Sequence, residues 1–298
     1  MSQACSISTG KRYGLQRVCR VWKVPRSTVY VHRQQRGQQR PPCRRGPQGP
    51  CSDARLADHI REVLLDSPFH GEGYRKVWAK LRWRGIRTSK ERTRRVMREN
   101  RLLAPQRTGN RHGPRAHDGT IVSDHPNQVW GTDMTTTVTT REGKAAVFIA
   151  VDHFNAECVG IHAAKQQTRF EALEPLRQGV REYYGGFAEK IATGLKVRHD
   201  HGSQYMADEF QDEIAFLGMQ SSPSFVREPE GNGCAERFIR TLKENLLWVR
   251  TFETVEELRK AVLKFKKTYN KQWIIQRLNY QTPSQARQNA CPHPKKVA

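Results

Sequence analysis

Apolar positions recur with two different periods along this chain, and the change of period divides it. Between Tyr13 and His32, Leu15, Val18, Cys19 and Trp22 repeat at helical spacing. A second helix begins in Val24-Pro25-Arg26-Ser27-Thr28-Val29-Tyr30. Two short helices joined by a turn around Lys23-Val24, the second polar and basic at its start, predict a helix-turn-helix element. Arg26 then stands at the reading end, although any small αα-hairpin shares the pattern. Residues 34–52 are rich in Gln, Arg, Pro and Gly, have no period and predict a basic linker. Three more helices follow, over Ala54–Leu65, Tyr74–Leu81 and from Thr88 onward. Thr88-Ser-Lys-Glu91 has the form of a capping box at the start of the third. That helix carries Arg92, Arg94, Arg95 and Arg98 with Val96 and Met97 turned inward, a density of charge that suits phosphate contact. Arg75 and Lys76 on the preceding helix extend the basic set. Residues 101–127 read as a second linker.

From Gln128 the period shortens to two. Val129–Val138, the nearly unbroken apolar run Ala145–Val151 and Glu157–Ala163 predict an antiparallel meander with short polar turns. A helix over Thr168–Tyr184 follows, then a strand at Lys196–His199, a helix at Ala207–Leu217 and a strand at Met219–Ser222. Long helices are predicted at Gly231–Val249 and Val255–Tyr269. This element order predicts an α/β fold of the RNase H-like kind, a mixed five-stranded sheet with helices, preceded by all-α DNA-binding modules. The expected boundaries are 1–52 for the helix-turn-helix and basic linker, 53–110 for the helical module and 111–126 for a linker. The core takes 127–290, and 291–298 form a tail.

Charge sharpens this division. The 298 residues carry 52 Lys+Arg against 29 Asp+Glu, a formal net charge of +23. Residues 1–130 hold 28 of the basic and 9 of the acidic groups, so the front half is the natural partner of a polyanion and the back half is near an ordinary balance. The seven cysteines are scattered, with no Cys-x-x-Cys pair or structural zinc spacing. No signal-like segment or apolar run near 18 residues occurs, so no membrane partner is expected and a cytoplasmic, reducing location is.

Three carboxylates stand out by context. Asp133 lies inside the first predicted strand, where a carboxylate is costly unless it meets solvent or a cation. Asp200 ends the fourth, just before Gly202, at the kind of strand terminus where open α/β sheets bind ligands. Glu236 sits one turn into a helix that starts at Gly231-Asn232-Gly233. With strands one and four adjacent, these side chains would converge, and oxygen-only ligation suits Mg²⁺. Asp152 ends the second strand and enters a turn, a common structural place for Asp. His199 and His201 flank Asp200, and a carboxylate-led site gives them supporting or DNA-facing roles rather than zinc ligation.

The segments Trp130-Gly-Thr-Asp133-Met-Thr135, His199-Asp200-His-Gly202-Ser-Gln204-Tyr205 and Asn232-Gly-Cys-Ala-Glu236-Arg-Phe238 resemble the three motifs of the DDE integrase/transposase superfamily. They are most similar to the second-frame protein of the insertion-sequence-3 transposases. The 35 residues between Asp200 and Glu236 match the DD35E spacing, and residues 72–104 resemble the helical domain that precedes that family's core. Two positions differ: His199 stands where a Ser is common, and Gly231 where an Asp is.

The resemblance implies metal-dependent strand cleavage and transfer at insertion-sequence ends, with Asp133, Asp200 and Glu236 as catalytic residues and ligands of Mg²⁺ (or Mn²⁺). It implies a DNA contact at Lys243, two turns after Glu236, and supporting roles for Asn232, Gln204 and Thr135. It further implies double-stranded DNA, at transposon ends and target, as partner, a homo-multimer on DNA and a nucleoid-associated location. An upstream-frame protein joined by frameshift fusion is a further implied partner. A nuclease without strand transfer and a DNA-binding regulator from an inactive element are the alternatives.

Overall fold

A computed structural model describes residues 3–37, 51–105, 123–223 and 232–290. Most of both predicted linkers, the tail 291–298 and Gly231 lie outside the described residues. The chain divides into two compact units, Met1–Gly49 and Pro50–Ala298.

The first unit holds α1 (Gly14–Val21) and α2 (Arg26–Gly37). The turn between them falls where the pattern placed it: Lys23 takes a left-handed φ of 52°, and the Val24 N–H donates to the Cys19 carbonyl at 2.9 Å. Among its described residues Cys19 is buried, whereas Val21, Trp22 and Tyr30 are exposed.

The second unit opens with α3 (Asp53–Leu65), α4 (Tyr74–Trp83) and α5 (Lys90–Glu99), packed around Leu56, Ile60, Val77, Leu81, Val96 and Met97. Val96 and Met97 point inward as the period requires. The predicted cap on α5 is corrected by one residue. Ser89, not Thr88, is the N-cap, accepting from the Arg92 N–H at 3.1 Å, because the Thr88 carbonyl is engaged by the Trp78 indole N–H at 2.8 Å.

The core sheet comprises β1 (Val129–Thr139), β2 (Gly143–Asp152), β3 (Cys158–Ala164), β4 (Lys196–His199) and β5 (Gln220–Pro223), in the order β3-β2-β1-β4-β5. β1–β2 and β2–β3 are antiparallel, while β1–β4 and β4–β5 are parallel, so β2 alone runs against the rest. This is the RNase H-like arrangement. β2 is buried on both faces from Ala145 onward, which accounts for its unbroken apolar run.

Alternation along β2 sorts the core into two layers. Ala146, Phe148 and Ala150 join Trp130 beneath α6 (Arg169–Tyr184), α7 (Ser203–Met206) and α8 (Asp208–Phe216). Val147, Ile149 and Val151 face α9 (Gly233–Leu242) and α10 (Val255–Gln272). The long helix predicted over Gly231–Val249 is instead α9 followed by a π-helical turn at Lys243–Leu247. A final helix, α11 (Pro283–Ala290), is pinned by Arg287, whose guanidinium meets Asp152 at 2.8 Å and Asn127 Oδ1 at 2.9 Å and also bonds Glu157.

The helical module and the core form one unit through aromatic contacts. Phe69 meets Trp273 edge-on at 4.9 Å and Phe265 at 6.3 Å, and Trp78 meets Tyr280 at 5.6 Å. Among the described residues no helix is long and apolar enough to cross a membrane.

Candidate active site

The pleat decides where the first carboxylate points. Trp130, Thr132 and Met134 belong to the α6 face of β1, so Gly131, Asp133 and Thr135 belong to the face covered by α9. Asp133 is half-buried at this face. Its Oδ1 accepts the Met134 N–H at 2.7 Å. The parallel pairing of β1 with β4 sets Gly131 opposite Arg198, and Asp200 leaves the sheet just past the end of β4. Asp200 is exposed, with Oδ1 accepting the Gly202 N–H at 2.9 Å. A Cβ on Gly202 would stand 2.6 Å from Gln204 Nε2 and 2.9 Å from Asp200 Oδ1, so both side chains border Gly202 closely.

Glu236 arrives from α9. Asn232 occupies the N-cap position, yet its side chain does not cap the helix. Nδ2 donates instead to the Thr132 carbonyl at 2.9 Å, tying the start of α9 to β1 one residue before Asp133. Gly131 permits that approach, since a Cβ there would stand 2.5 Å from Asn232 Oδ1 and 2.6 Å from His153 Nε2.

The electrostatics show that the predicted groups share one field. Burial pushes the Asp133 carboxyl from its ordinary 3.8 up to about 6; the Met134 N–H pulls it back, the charges of Asp200 and Glu236 add to the rise, and Lys243 opposes it. Burial also raises Glu236. Four groups named from sequence therefore stand within electrostatic reach of one another. Among the described residues no three His, Cys, Asp or Glu side chains are within joint reach of a single ion.

Other expected residues fall elsewhere. Thr135 is buried in β1 opposite Val147. Arg92 and Arg95 both bond Asp53 at 2.9 Å, and Arg95 also bonds Glu99; they staple α5 to the start of α3. Arg94 is exposed, 3.8 Å from Glu91. Arg75 is exposed and reaches Gln276 at 3.3 Å, while Lys76 lies 2.7 Å over the Trp273 ring. Arg26 is exposed at the start of α2.

His199 is fully buried, its Nε2 2.9 Å from Ser221 Oγ on β5 and its ring stacked on Tyr205, which makes it a packing residue. Asp152 is also fully buried and bound by Arg287 and by the N–H groups of Asn127 and Phe154. Sequence reasoning missed Gly131, His153 and Tyr205. Only Gly131 left a signal, as a glycine inside a strand.

Sheet order and a carboxylate-bearing face define a nucleic-acid-processing core of the integrase type. The family described as Integrase core domain matches residues 123–229, and a second family of that description matches 217–283. An HTH-like domain family matches residues 52–109. Transposase InsD for insertion element IS2A/D/F/H/I/K of Escherichia coli is 26% identical over 238 residues, covering 78% of each chain. Transposase InsD for insertion element IS2-9 of Escherichia coli (strain K12) is 26% identical, covering 78% of this chain and 76% of its own.

Two solved structures are also similar. The HTLV-2 integrase catalytic core domain in complex with magnesium is 20% identical, with a TM-score of 0.41, over 55% of this chain and 98% of that one. A simian T-cell lymphotropic virus intasome is 18% identical, with a TM-score of 0.47, over 83% and 77%. Integrase-core families thus match across residues 123–283, and over 78% of its length the chain is similar to insertion-element transposases. DNA transposition by polynucleotidyl transfer is accordingly its function, and its HTH-like and integrase domains are DNA-binding.

Proposed function

We propose that Asp133, Asp200 and Glu236 are the catalytic carboxylates of this transposase and together hold divalent cations, Mg²⁺ with Mn²⁺ able to substitute. The carrying observation is the raised proton affinity of Asp133. Burial and two neighbouring acids hold a proton on this carboxylate up to about pH 6, and a bound cation relieves the same conflict. The donor set is all oxygen, which fits a hard cation. Asp200 and Glu236 are exposed, so their side chains have room to turn toward Asp133 as a cation loads.

Cations held by Asp133, Asp200 and Glu236 would supply Lewis-acid stabilisation of the attacking and leaving oxygens in a phosphoryl displacement. The protein supplies the alignment. Asn232 fixes α9, and so Glu236, against β1; Gln204 and Asp200 both border Gly202; and Thr135 follows Asp133 on the same face of β1. Lys243 brings a positive charge to the phosphate beside the carboxylates. One site then serves two steps: cutting one strand at each transposon end to leave a 3′-OH, and attack of that 3′-OH on a second phosphodiester. Arg26, Arg75, Lys76, Arg92, Arg94 and Arg95 are the proposed contacts to double-stranded DNA, with Arg92 and Arg95 able to reach it only by sharing or leaving Asp53. A homo-multimer on paired ends, with an upstream-frame protein joined by frameshift fusion, completes the reading.

The test uses purified protein, Mg²⁺ or Mn²⁺, and labelled duplexes taken from the DNA flanking the gene. Joined products that need metal and vanish in Asp133→Asn, Asp200→Asn and Glu236→Gln are the expected result. Nicking without joining in the wild type would reduce the reading to a nuclease. Products that persist in the three variants would remove the triad.

A further inference from the structure

Asp200 stands where the sheet gives out. β4 pairs with β5 as far as His199, which lies opposite Pro223, and a proline has no N–H with which to carry the ladder further. Asp200 is one residue past that last pair and exposed, on a short turn that ends where α7 starts at Ser203. A ligand on such a turn must be ordered before it can hold an ion, at a cost in affinity.

The turn is nonetheless held. Asp200 Oδ1 accepts the Gly202 N–H at 2.9 Å, and the Asp200 carbonyl lies 2.7 Å from His199 Nδ1. A carbonyl can only accept, so Nδ1 carries a proton and donates it to this bond. The other ring nitrogen, Nε2, meets Ser221 Oγ on β5 at 2.9 Å. The ring plane is fixed as well. It stacks on Tyr205 with centroids 5.7 Å apart and 29° between the planes, and stands edge-on to Phe210 at 6.0 Å. Tyr205 and Phe210 meet edge to face at 5.4 Å, and all three side chains are fully buried. Tyr205 belongs to α7, so one cluster grips the strand before Asp200 and the helix after it.

The stack by itself would need only a ring. Here both nitrogens are engaged in different directions, one toward β5 and one toward the residue that carries the carboxylate. The motif around Asp200 commonly has a serine at this position, so the imidazole is not part of that motif.

We propose that His199 is a positioning residue for Asp200: braced by Ser221 and Tyr205, its Nδ1–H holds the Asp200 carbonyl, so that the carboxylate turns toward a cation about a fixed backbone. The proposal rests on the reading of Asp200 as a cation ligand, and adds to it a buried residue outside the triad.

The experiment compares full-length variants by Mn²⁺ binding, followed through the electron paramagnetic resonance of the free ion, and by hydrogen exchange of the Gly202 amide and melting temperature in EDTA. His199→Phe keeps a ring for the stack and removes both nitrogens. His199→Asn gives up the ring but places an amide N–H at the Nδ1 position. His199→Gln places its amide at the Nε2 position, near Ser221 and away from the Asp200 carbonyl.

His199→Phe is expected to bind Mn²⁺ about tenfold more weakly, the lower end of what outer partners of metal ligands are worth. It should also exchange the Gly202 amide faster, while melting nearest the wild type. His199→Asn should melt lower, having lost the stack, yet recover most of the affinity and protection; His199→Gln should bind as weakly as the Phe variant. Affinity and melting temperature then rank Phe and Asn in opposite orders, which packing alone cannot produce. Affinities that follow melting temperature, or a His199→Phe protein with wild-type affinity and Gly202 protection, would overturn the proposal. Should His199→Asn not fold, the Phe variant decides: weaker binding without a lower melting temperature upholds the tie, and unchanged binding removes it. Wild type that binds no Mn²⁺, or Asp200→Asn that binds it as well as wild type, would remove Asp200 as a ligand and the positioning role with it. Gly202 exchange needs no metal, so failure of the triad is read apart from failure of the tie.

Discussion

Replacing Asp133 by Asn should stabilise the metal-free protein. The folded state holds the Asp133 proton up to about pH 6, against an ordinary value of 3.8. Below about pH 3.8 the carboxyl is neutral in both folded and unfolded chains and exerts no penalty. As pH rises through the window from 3.8 to about 6, the unfolded chain ionises first and stability falls. Above about pH 6 the loss is complete, at about 3 kcal/mol for a difference of roughly two pH units. Asn keeps the shape and can keep the 2.7 Å bond from the Met134 N–H, but carries no charge.

Urea melts in EDTA at pH 7.5 should therefore show Asp133→Asn more stable by about 2–3 kcal/mol, a gap that shrinks to near zero by about pH 4. Adding Mg²⁺ at 100 times its dissociation constant should raise the wild type by about 2.7 kcal/mol and leave the variant unmoved. A variant no more stable than wild type at pH 7.5, or a gap that ignores pH, would refute the electrostatic account of the site.

Other perturbations test the frame around it. Arg287→Met removes the cation that Asp152 and Glu157 share, and should cost about 3–5 kcal/mol at pH 7.5 in denaturant melts, less in acid, where burial favours the protonated form of Asp152. Gly160→Ala places a Cβ 1.9 Å from the Pro175 carbonyl oxygen, so α6 must shift off β3; a loss of about 1–3 kcal/mol is expected in the same melts. On α5, Arg94→Ala and Arg98→Ala should weaken duplex binding, measured by anisotropy, without moving the melting temperature, because both side chains are exposed. Arg95→Ala should instead lower the melting temperature by removing one of the two arginines that tie Asp53 to α5, with the smaller effect on DNA.

Sequence made local structure legible where one interaction dominates. The apolar run at Ala145–Val151 is a strand because both faces of β2 meet helices, and that burial is written in composition alone. The α5 cap went astray because two frames overlap: Thr88-x-x-Glu91 and Ser89-x-x-Arg92 are one residue apart. The choice between them depends on Trp78, ten residues upstream, taking the Thr88 carbonyl. The pairing of Arg92 and Arg95 with Asp53 spans 39 and 42 residues, so a helix that reads as a phosphate-binding row is partly an internal staple. The π-helical turn at Lys243–Leu247 is a feature of backbone bonding, which the residue pattern does not report. The three proposed carboxylates stand out in the sequence through their motif context. The interatomic approach that seats them, Asn232 against Gly131, does not, because it depends on a contact 101 residues apart in the sequence.

Two aspartates on neighbouring strands differ in how their charge is balanced, and the proposed role of one of them rests on that difference. Asp152 pairs in register with Trp130, three residues from Asp133, and is the more deeply buried of the two. Burial raises its proton affinity as well, but Arg287 and the N–H groups of Asn127 and Phe154 oppose the rise, and its oxygens are occupied. Asp133 has one backbone N–H, a lysine charge, and two further carboxylates that worsen its position. A fold under selection for stability alone would resolve that conflict as it does at Asp152, with an arginine. Leaving it unresolved is reasonable only if a cation from solution resolves it. The same burial therefore belongs to the frame at Asp152, while at Asp133 the sign of the neighbouring charge is what supports the proposed catalytic role.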